Sequence, residues 1–356
     1  MKPTMMTYIH QQPEVLSHLL ACYPQGLPVL GKAKTVLILA TGSSINAALS
    51  AKYYVEQLTG VRISVQEPFH FQHYEQWDPA TDLVIAISQS GESTSTLAAI
   101  DALKKQHGVA TWGITSKITS PLAQAVDHAV DIMNGEERVG YVTKGYVATI
   151  LTLMLIGVHS ARHSGRLSAE QEQQALAQLQ RGVDAIPDII ARTERFWQRW
   201  QDDLTAAPRF ISIGFGPAIG VIKEMETKFS ETVRVPSQGI ELEAFMHGPY
   251  FETNPQHRLF FIDVEAPVRE RLQLLRQYEQ RVTPHVWSLC LGESDDARTL
   301  ALGVEVSEWM APLLMVIPFQ ILAHHIAEAK GNNLPQRIFT DFGVAMKSKT
   351  KPGDYD

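Results

Sequence analysis

Between Ser88 and Thr96 the chain reads SQSGESTST, which sets six hydroxyl side chains around one glycine. Uncharged donors at that density suit a dianionic phosphate. Hydroxyls and the first N–H groups of a following helix can donate to its oxygens, and Gly91 lets the backbone come close. A comparable cluster stands earlier, at Thr41, Gly42, Ser43 and Ser44. Serine and threonine also cap helices, and capping accounts for one such turn taken alone. Two of them, after two strands of the same half, leave capping and anion binding both open. No GK[ST] follows a GxxxxG, so a nucleoside triphosphate is disfavoured. Farther on, Glu224, Lys228 and Glu231 are spaced by four and three and share one face of a helix. Such a row is either a solvated face of alternating charge or the lining of a cleft. In a cleft, a carboxylate with raised proton affinity in a closed site can shuttle a proton; Glu231 is the candidate. His247, in MHGP, is either a loop residue or an acid–base group. His324 and His325 fall on an apolar helix, where packing or a buried hydrogen bond is expected and metal ligation is not.

These groups need a frame. TVLILA (35–40) is an apolar run followed by the small-residue turn and a helical stretch, NAALSAKYYVEQL; RISVQEP and DLVIAIS are further strands, the last apolar throughout like a central parallel strand. A helix from near Thr94, the strand GVATWGITS and the short helix SPLAQAVDHA continue the alternation, which predicts a doubly wound parallel sheet. In such sheets ligands collect beyond the carboxyl ends of the strands. From about 162 to 205 the chain is polar and helical. Then FISIGFGPAIGVIKEMETKFSE repeats the strand, glycine turn and helix about 174 residues after the first, followed by RLFFIDV and HVWSLCLG. The expected organisation is α/β with two similar halves. Residues 1–162 hold an N-terminal helix and the first subdomain, 163–205 a helical connector, 206–340 the second subdomain and 341–356 a tail.

With 356 residues the chain can bury two cores, and its net charge of -7 comes with no basic run, which argues against a nucleic-acid partner. Cys22 and Cys290 are the only cysteines, so neither a disulfide framework nor a thiolate zinc cluster is expected. A reducing, cytoplasmic setting fits. No secretory signal is expected at MKPTMMTYIHQQPEV, and the apolar runs 146–161 and 310–327 read as buried core helices with no membrane contact.

SQSGES between a strand and a helix resembles the signature of the sugar isomerase (SIS) domain family. The resemblance extends to TGSS, TKGYVATILTLM, EMETKFSETVRVPSQGIELEAFMHGP and IPFQILAHHIAEAKG, in order along the chain, and is similar to the isomerase half of the glutamine:fructose-6-phosphate amidotransferases. It implies two tandem SIS (flavodoxin-like) subdomains, no cofactor, and a homodimer or higher oligomer with shared active sites. It implies further that Ser88, Gln89, Ser90 and Ser93 hold a sugar phosphate with Ser43 beside them. Thr41, Gly42 and Ser44 would line the pocket. Glu231 matches the catalytic glutamate, Lys228 a lysine one turn before it, and His247 a histidine that reaches the neighbouring subunit's site and helps open the sugar ring. Departures narrow the reaction. No glutamine-hydrolysing domain is expected among these residues, the V-A-S before the T-K pair reads GYV so that Tyr141 and Val142 alter the sugar pocket, and the family's closing lysine should fall near Thr340 or Asp341. The chain then most resembles deglycases that split a 6-phosphorylated sugar–amine conjugate into hexose 6-phosphate and free amine. A phosphosugar aldose–ketose isomerase and a non-catalytic phosphosugar sensor are the alternatives, although no helix-turn-helix segment supports a transcription regulator.

Overall fold

The computed structural model describes residues 3–138 and 140–350. Helix α1 (Met5–Ala21) leads to β1 (Thr35–Ala40), α2 (Ser43–Thr59), β2 (Arg62–Gln66), α3 (Pro68–Tyr74), β3 (Leu83–Ile87), α4 (Thr94–His107), β4 (Ala110–Thr115), α5 (Pro121–Ala125), β5 (His128–Asp131) and α6 (Lys144–His163). Helices α7 (Ala169–Asp184) and α8 (Ile186–Thr205) follow. The second half has β6 (Phe210–Gly214), α9 (Ala218–Thr232), β7 (Ser237–Glu241), α10 (Leu242–Met246), β8 (Arg258–Asp263), α11 (Arg269–Glu279), β9 (Val286–Cys290), β10 (Thr299–Ala301), α12 (Ala311–Ala329) and α13 (Phe342–Ala345). The chain divides into two compact units: residues 14–177 with the tail from Arg337, and residues 178–336 with the N-terminal residues through Pro13.

Each unit holds one five-stranded parallel sheet. The first has the order β2-β1-β3-β4-β5 and the second, read from its other edge, β7-β6-β8-β9-β10. These are the same path through two sheets, 2-1-3-4-5, the flavodoxin-like form of the doubly wound fold. The α/β duplication expected from the sequence is therefore present. The central strands β3 and β6 are buried along their whole length, as continuous apolar runs require when both faces are covered. In the first sheet Leu37, Leu39, Val84 and Ala86 pack with Ile100 and Leu103 of α4 and with Leu122. The two long apolar helices, α6 and α12, have 94% and 89% of their most apolar windows buried inside the protein, so their composition serves core packing.

Strands β5, β7 and β10 are absent from the sequence expectation. HAVD, SQGIE and TLA are short and mixed in polarity, because each lies on a sheet edge and has only one strand neighbour. An edge strand has less apolar surface to bury, so its residues carry no continuous hydrophobic signal.

One buried acid has a consequence for stability. Glu279, the last residue of α11, has no exposed surface, and loss of water pushes its carboxyl up to about 7, opposed in part by the Thr253 hydroxyl. A carboxyl raised in the folded state contributes stability that is fully present below its ordinary value of 4.5 and is lost as pH rises through about 7. Glu279→Gln cannot ionise. Its urea midpoint should match the parent protein at pH 4 and exceed it at pH 8, by a stability difference on the order of 2–3 kcal/mol. The same midpoint change at both pH values would show that the Glu279 charge plays no part.

Candidate functional site

In a 2-1-3-4-5 sheet the chain winds in opposite directions on either side of strands 1 and 3, and a crevice opens at their carboxyl ends. In the first unit those strands are β1 and β3, paired in register through Ala40 and Ile87. Both hydroxyl clusters begin at the next residues, Thr41 and Ser88. The topology thus brings Thr41, Gly42, Ser43 and Ser44 to the same sheet edge as Ser88, Gln89, Ser90 and Ser93. Ser88 and Ser93 are nearly buried, Ser43, Ser44, Gln89 and Ser90 half-buried, and Thr41 and Gly42 exposed.

The loop after β3 is tightly held. Ser88 donates its N–H to Ile114 O at 3.1 Å and accepts from Gly91 N at 3.0 Å, which closes a turn. Gly91 has a φ of +67°, and a Cβ there would collide with Ser120, so only glycine fits. The carbonyl of Gln89 accepts from Ser116 N at 3.0 Å, Thr115 Oγ1 at 3.0 Å and Ser116 Oγ at 2.8 Å. Helix capping does not account for the hydroxyls. Ser93 occupies the N-cap position of α4 yet makes no side-chain cap bond, and its Oγ lies 3.0 Å from Thr96 Oγ1. The N-cap of α2 is Gly42, again without a side-chain bond.

Two partners of this loop escape a reading of the sequence. Glu137 accepts from the N–H groups of Thr143, Lys144 and Gly145 at 2.7, 3.0 and 3.0 Å, so one carboxylate satisfies the first turn of α6. Its Oε2 also accepts from Gln89 Nε2 at 2.8 Å, which ties the loop to α6. Burial lowers the Lys144 amine, with Glu137 acting in the opposite direction. An acidic residue just ahead of the T-K pair was the only local hint. Tyr141 is buried, Val142 half-buried, and both lie in the turn that Glu137 organises. The second partner is Lys349, whose Nζ lies 3.3 Å from Ser90 Oγ. The cluster is therefore not uncharged, and this corrects the expectation of a cradle without a full positive charge. Thr340 and Asp341, where the closing lysine was sought, precede the short helix α13; the lysine at the loop comes from farther along the tail.

In the second unit, α9 carries the acid row. Lys228 and Glu224 have no side-chain exposure and lie 3.5 Å apart, while Lys228 Nζ donates to Glu231 Oε2 at 2.6 Å. The four-and-three spacing does put all three groups on one face, with the ammonium between two carboxylates. Glu231 retains 37% side-chain exposure, so the residues of its own unit do not build the enclosure expected around a proton-shuttling carboxylate. The turn before α9, Phe215-Gly216-Pro217, follows β6 with Gly216 at φ +52°. His247 ends α10 as an exposed imidazole 3.1 Å from Glu243, whose carboxyl is held below its ordinary range first by that imidazole and then by Arg271.

His324 and His325 lie on α12 with Glu328, their ligand-type atoms within 4.8 Å of one another. Each imidazole already faces a carboxylate: His324 lies 3.4 Å from Glu328, and His325 lies 2.9 Å from Glu194 while stacking on Trp197. The His325 contacts join α12 to α8. A cavity of about 390 Å³ in the first unit lies against α3 and α4, lined by Phe71, Trp77 and His107 among others, and shares no lining residue with the hydroxyl loops.

Residues 29–158 match the SIS domain model. A glutamine–fructose-6-phosphate aminotransferase (isomerizing) of Gloeobacter violaceus is 30% identical over 346 residues, which span 93% of this chain and 57% of that relative. The chain thus spans little more than half the length of this curated relative. The solved C-terminal domain of glucosamine-fructose-6-phosphate aminotransferase from Francisella tularensis superposes with a TM-score of 0.84 at 22% identity, covering 93% of this chain and 97% of that one. A glucosamine-6-phosphate deaminase from Thermotoga maritima gives 0.73 at 23% identity, covering 92% and 95%. At these identities the two structural likenesses concern the fold.

The buried pair on α9 gives a stability test. Lys228→Met removes the ammonium beside the buried Glu224 carboxylate, which should destabilise the protein by about 3–5 kcal/mol. Adding Glu224→Gln should restore a large part of that loss. Denaturant unfolding of the single and double variants measures both, and an additive double variant would show that the two groups are uncoupled.

Proposed function

From the premise that residues 29–158 are a SIS domain, we propose that this protein is a phosphosugar enzyme that cleaves a 6-phosphorylated sugar–amine conjugate. The observation that carries the reading is the pair of hydroxyl turns leaving adjacent strands β1 and β3 at the winding reversal, with Ser93 at a helix start that it does not cap. Neutral donors fixed by Ser116, Glu137 and Gly91 suit a phosphate as a remote anchor, whose binding energy orients the reacting carbons.

In the proposed reaction a ketosamine 6-phosphate loses a proton from C1 and gains one at C2, while the nitrogen's proton passes to the C2 oxygen, which turns the C1–N bond into an imine beside a C2 hydroxyl. Water adds at C1, the C–N bond breaks, and hexose 6-phosphate and free amine leave, with no net oxidation. Glu231 is the proposed proton carrier, Lys228 its ion-pair partner and His247 the group that assists ring opening. These assignments rest on the resemblance of the EMETKFSETVRVP and MHGP segments. The Tyr141 and Val142 positions support a sugar pocket different from that of an amidotransferase.

The test is turnover by the full chain on fructosamine 6-phosphates, read as released amine. Glu231→Gln should lower kcat by about 10²–10⁴-fold while the Kd for hexose 6-phosphate changes little. Ser90→Ala should weaken ligand binding by about tenfold, as loss of a hydrogen bond to a charged group does. Isomerisation of plain phosphosugars without amine release would assign a simple isomerase. Binding without either reaction would assign a sensor, and full activity in Glu231→Gln would remove that residue from the chemistry.

A further inference from the structure

The chain segment after α13 returns to the loop that follows β3. Ser93 and Lys349 form an antiparallel bridge, flanked by two backbone hydrogen bonds: Thr94 N to Ser348 O at 3.3 Å and Thr350 N to Glu92 O at 3.1 Å. Thr94 Oγ1 adds a third link, donating to Lys347 O at 2.8 Å. With the hydrogen bonds made by the neighbours on either side, Ser93 and Lys349 are a non-hydrogen-bonded pair. In that geometry the facing side chains lie close together on the same side of the ladder. The register therefore aims Lys349 at the hydroxyl face of the loop, and its ammonium lies 3.3 Å from Ser90 Oγ.

We propose that Lys349 is the cationic ligand of the phosphate cradle, carried in by residues 347–350, so that phosphate binding and docking of the tail reinforce each other. This rests on the phosphosugar reading above and assigns a residue to it. An ammonium has three donors, and Ser90 takes one of them. Loss of water beside the loop lowers the proton affinity of the amine, and the field of Glu92 opposes this. A dianionic phosphate among Ser88, Ser90 and Ser93 would accept from the ammonium, and through it would hold the tail in place.

The experiment uses the full chain with Lys349→Gln and Lys349→Arg variants, titrated with hexose 6-phosphate and with the same hexose lacking phosphate. Trypsin cleavage after Lys347 is followed with and without each ligand. Lys349→Gln should weaken hexose 6-phosphate binding tenfold or more, and Lys349→Arg should retain most of it. The phosphosugar should slow cleavage after Lys347 in the parent protein and in Lys349→Arg, but not in Lys349→Gln. The hexose without phosphate should do neither. A parent protein that binds hexose 6-phosphate with a Kd unchanged in Lys349→Gln overturns the role of Lys349 and leaves the phosphosugar reading standing. A parent protein that binds no hexose 6-phosphate overturns both.

Discussion

A parallel sheet must send every connection back across one of its faces, and in the order 2-1-3-4-5 that return changes face between strands 1 and 3. This constraint places the hydroxyl turns of the first unit. Two helices, α2 and α4, start from strands that are neighbours in the sheet, so their amino ends and the turns before them converge on one edge. The polar residues need only be small enough to leave room and fixed enough to point outward. The buried runs TVLILA and LVIAI meet the first half of that demand by anchoring both turns to a core that cannot shift.

Fixing the direction of the loop falls to groups far away in sequence. Glu137 illustrates how one carboxylate can do two things: it satisfies three N–H groups at the start of α6 and uses its second oxygen to hold the Gln89 amide. Gly145 permits the arrangement, because any Cβ at that position would run into the Gln89 side chain. The loop is thus pinned from three sides, by Ser116 beside β4, by Glu137 and by the tail. A loop pinned in this way would lose little further entropy on taking a ligand, which is the physical sense in which it is preorganised.

What the sequence reveals follows from how local each signal is. Strands β1, β3, β4, β6, β8 and β9 are legible because they are apolar over several residues in a row, and the repeat of strand, glycine turn and helix discloses the duplication. The acid row is legible because helical spacing alone places Glu224, Lys228 and Glu231 on one face. Its burial is not, since a row of alternating charge looks the same on a solvated helix. Of the edge strands, β2 is legible in RISVQ, whereas β5, β7 and β10 are missed because burial on an edge is partial and their residues are mixed in polarity. Lys349 is missed for another reason: it lies 259 residues from Ser90, and nothing in the tail's own composition marks a lysine that folds back onto a serine loop.

The second unit shows that the fold supplies a place for a site without dictating its chemistry. By topology β8 stands where β3 stands in the first unit, so the loop after Asp263 is the counterpart of the serine loop. It carries no cluster of hydroxyls. Asp263 instead binds Arg269 at 2.6 Å, Glu265 pairs with the same guanidinium, and Asp263 first and Glu265 after it raise the Arg269 proton affinity. A cation already engaged by two carboxylates has little attraction left for a phosphate, and the carboxylates themselves repel one. The buried ion pairs lie instead on α9, which follows the β6 turn and holds Lys228 between Glu224 and Glu231. Two copies of one topology thus carry different side chains, a pair of hydroxyl turns in one and a buried ion-pair row in the other.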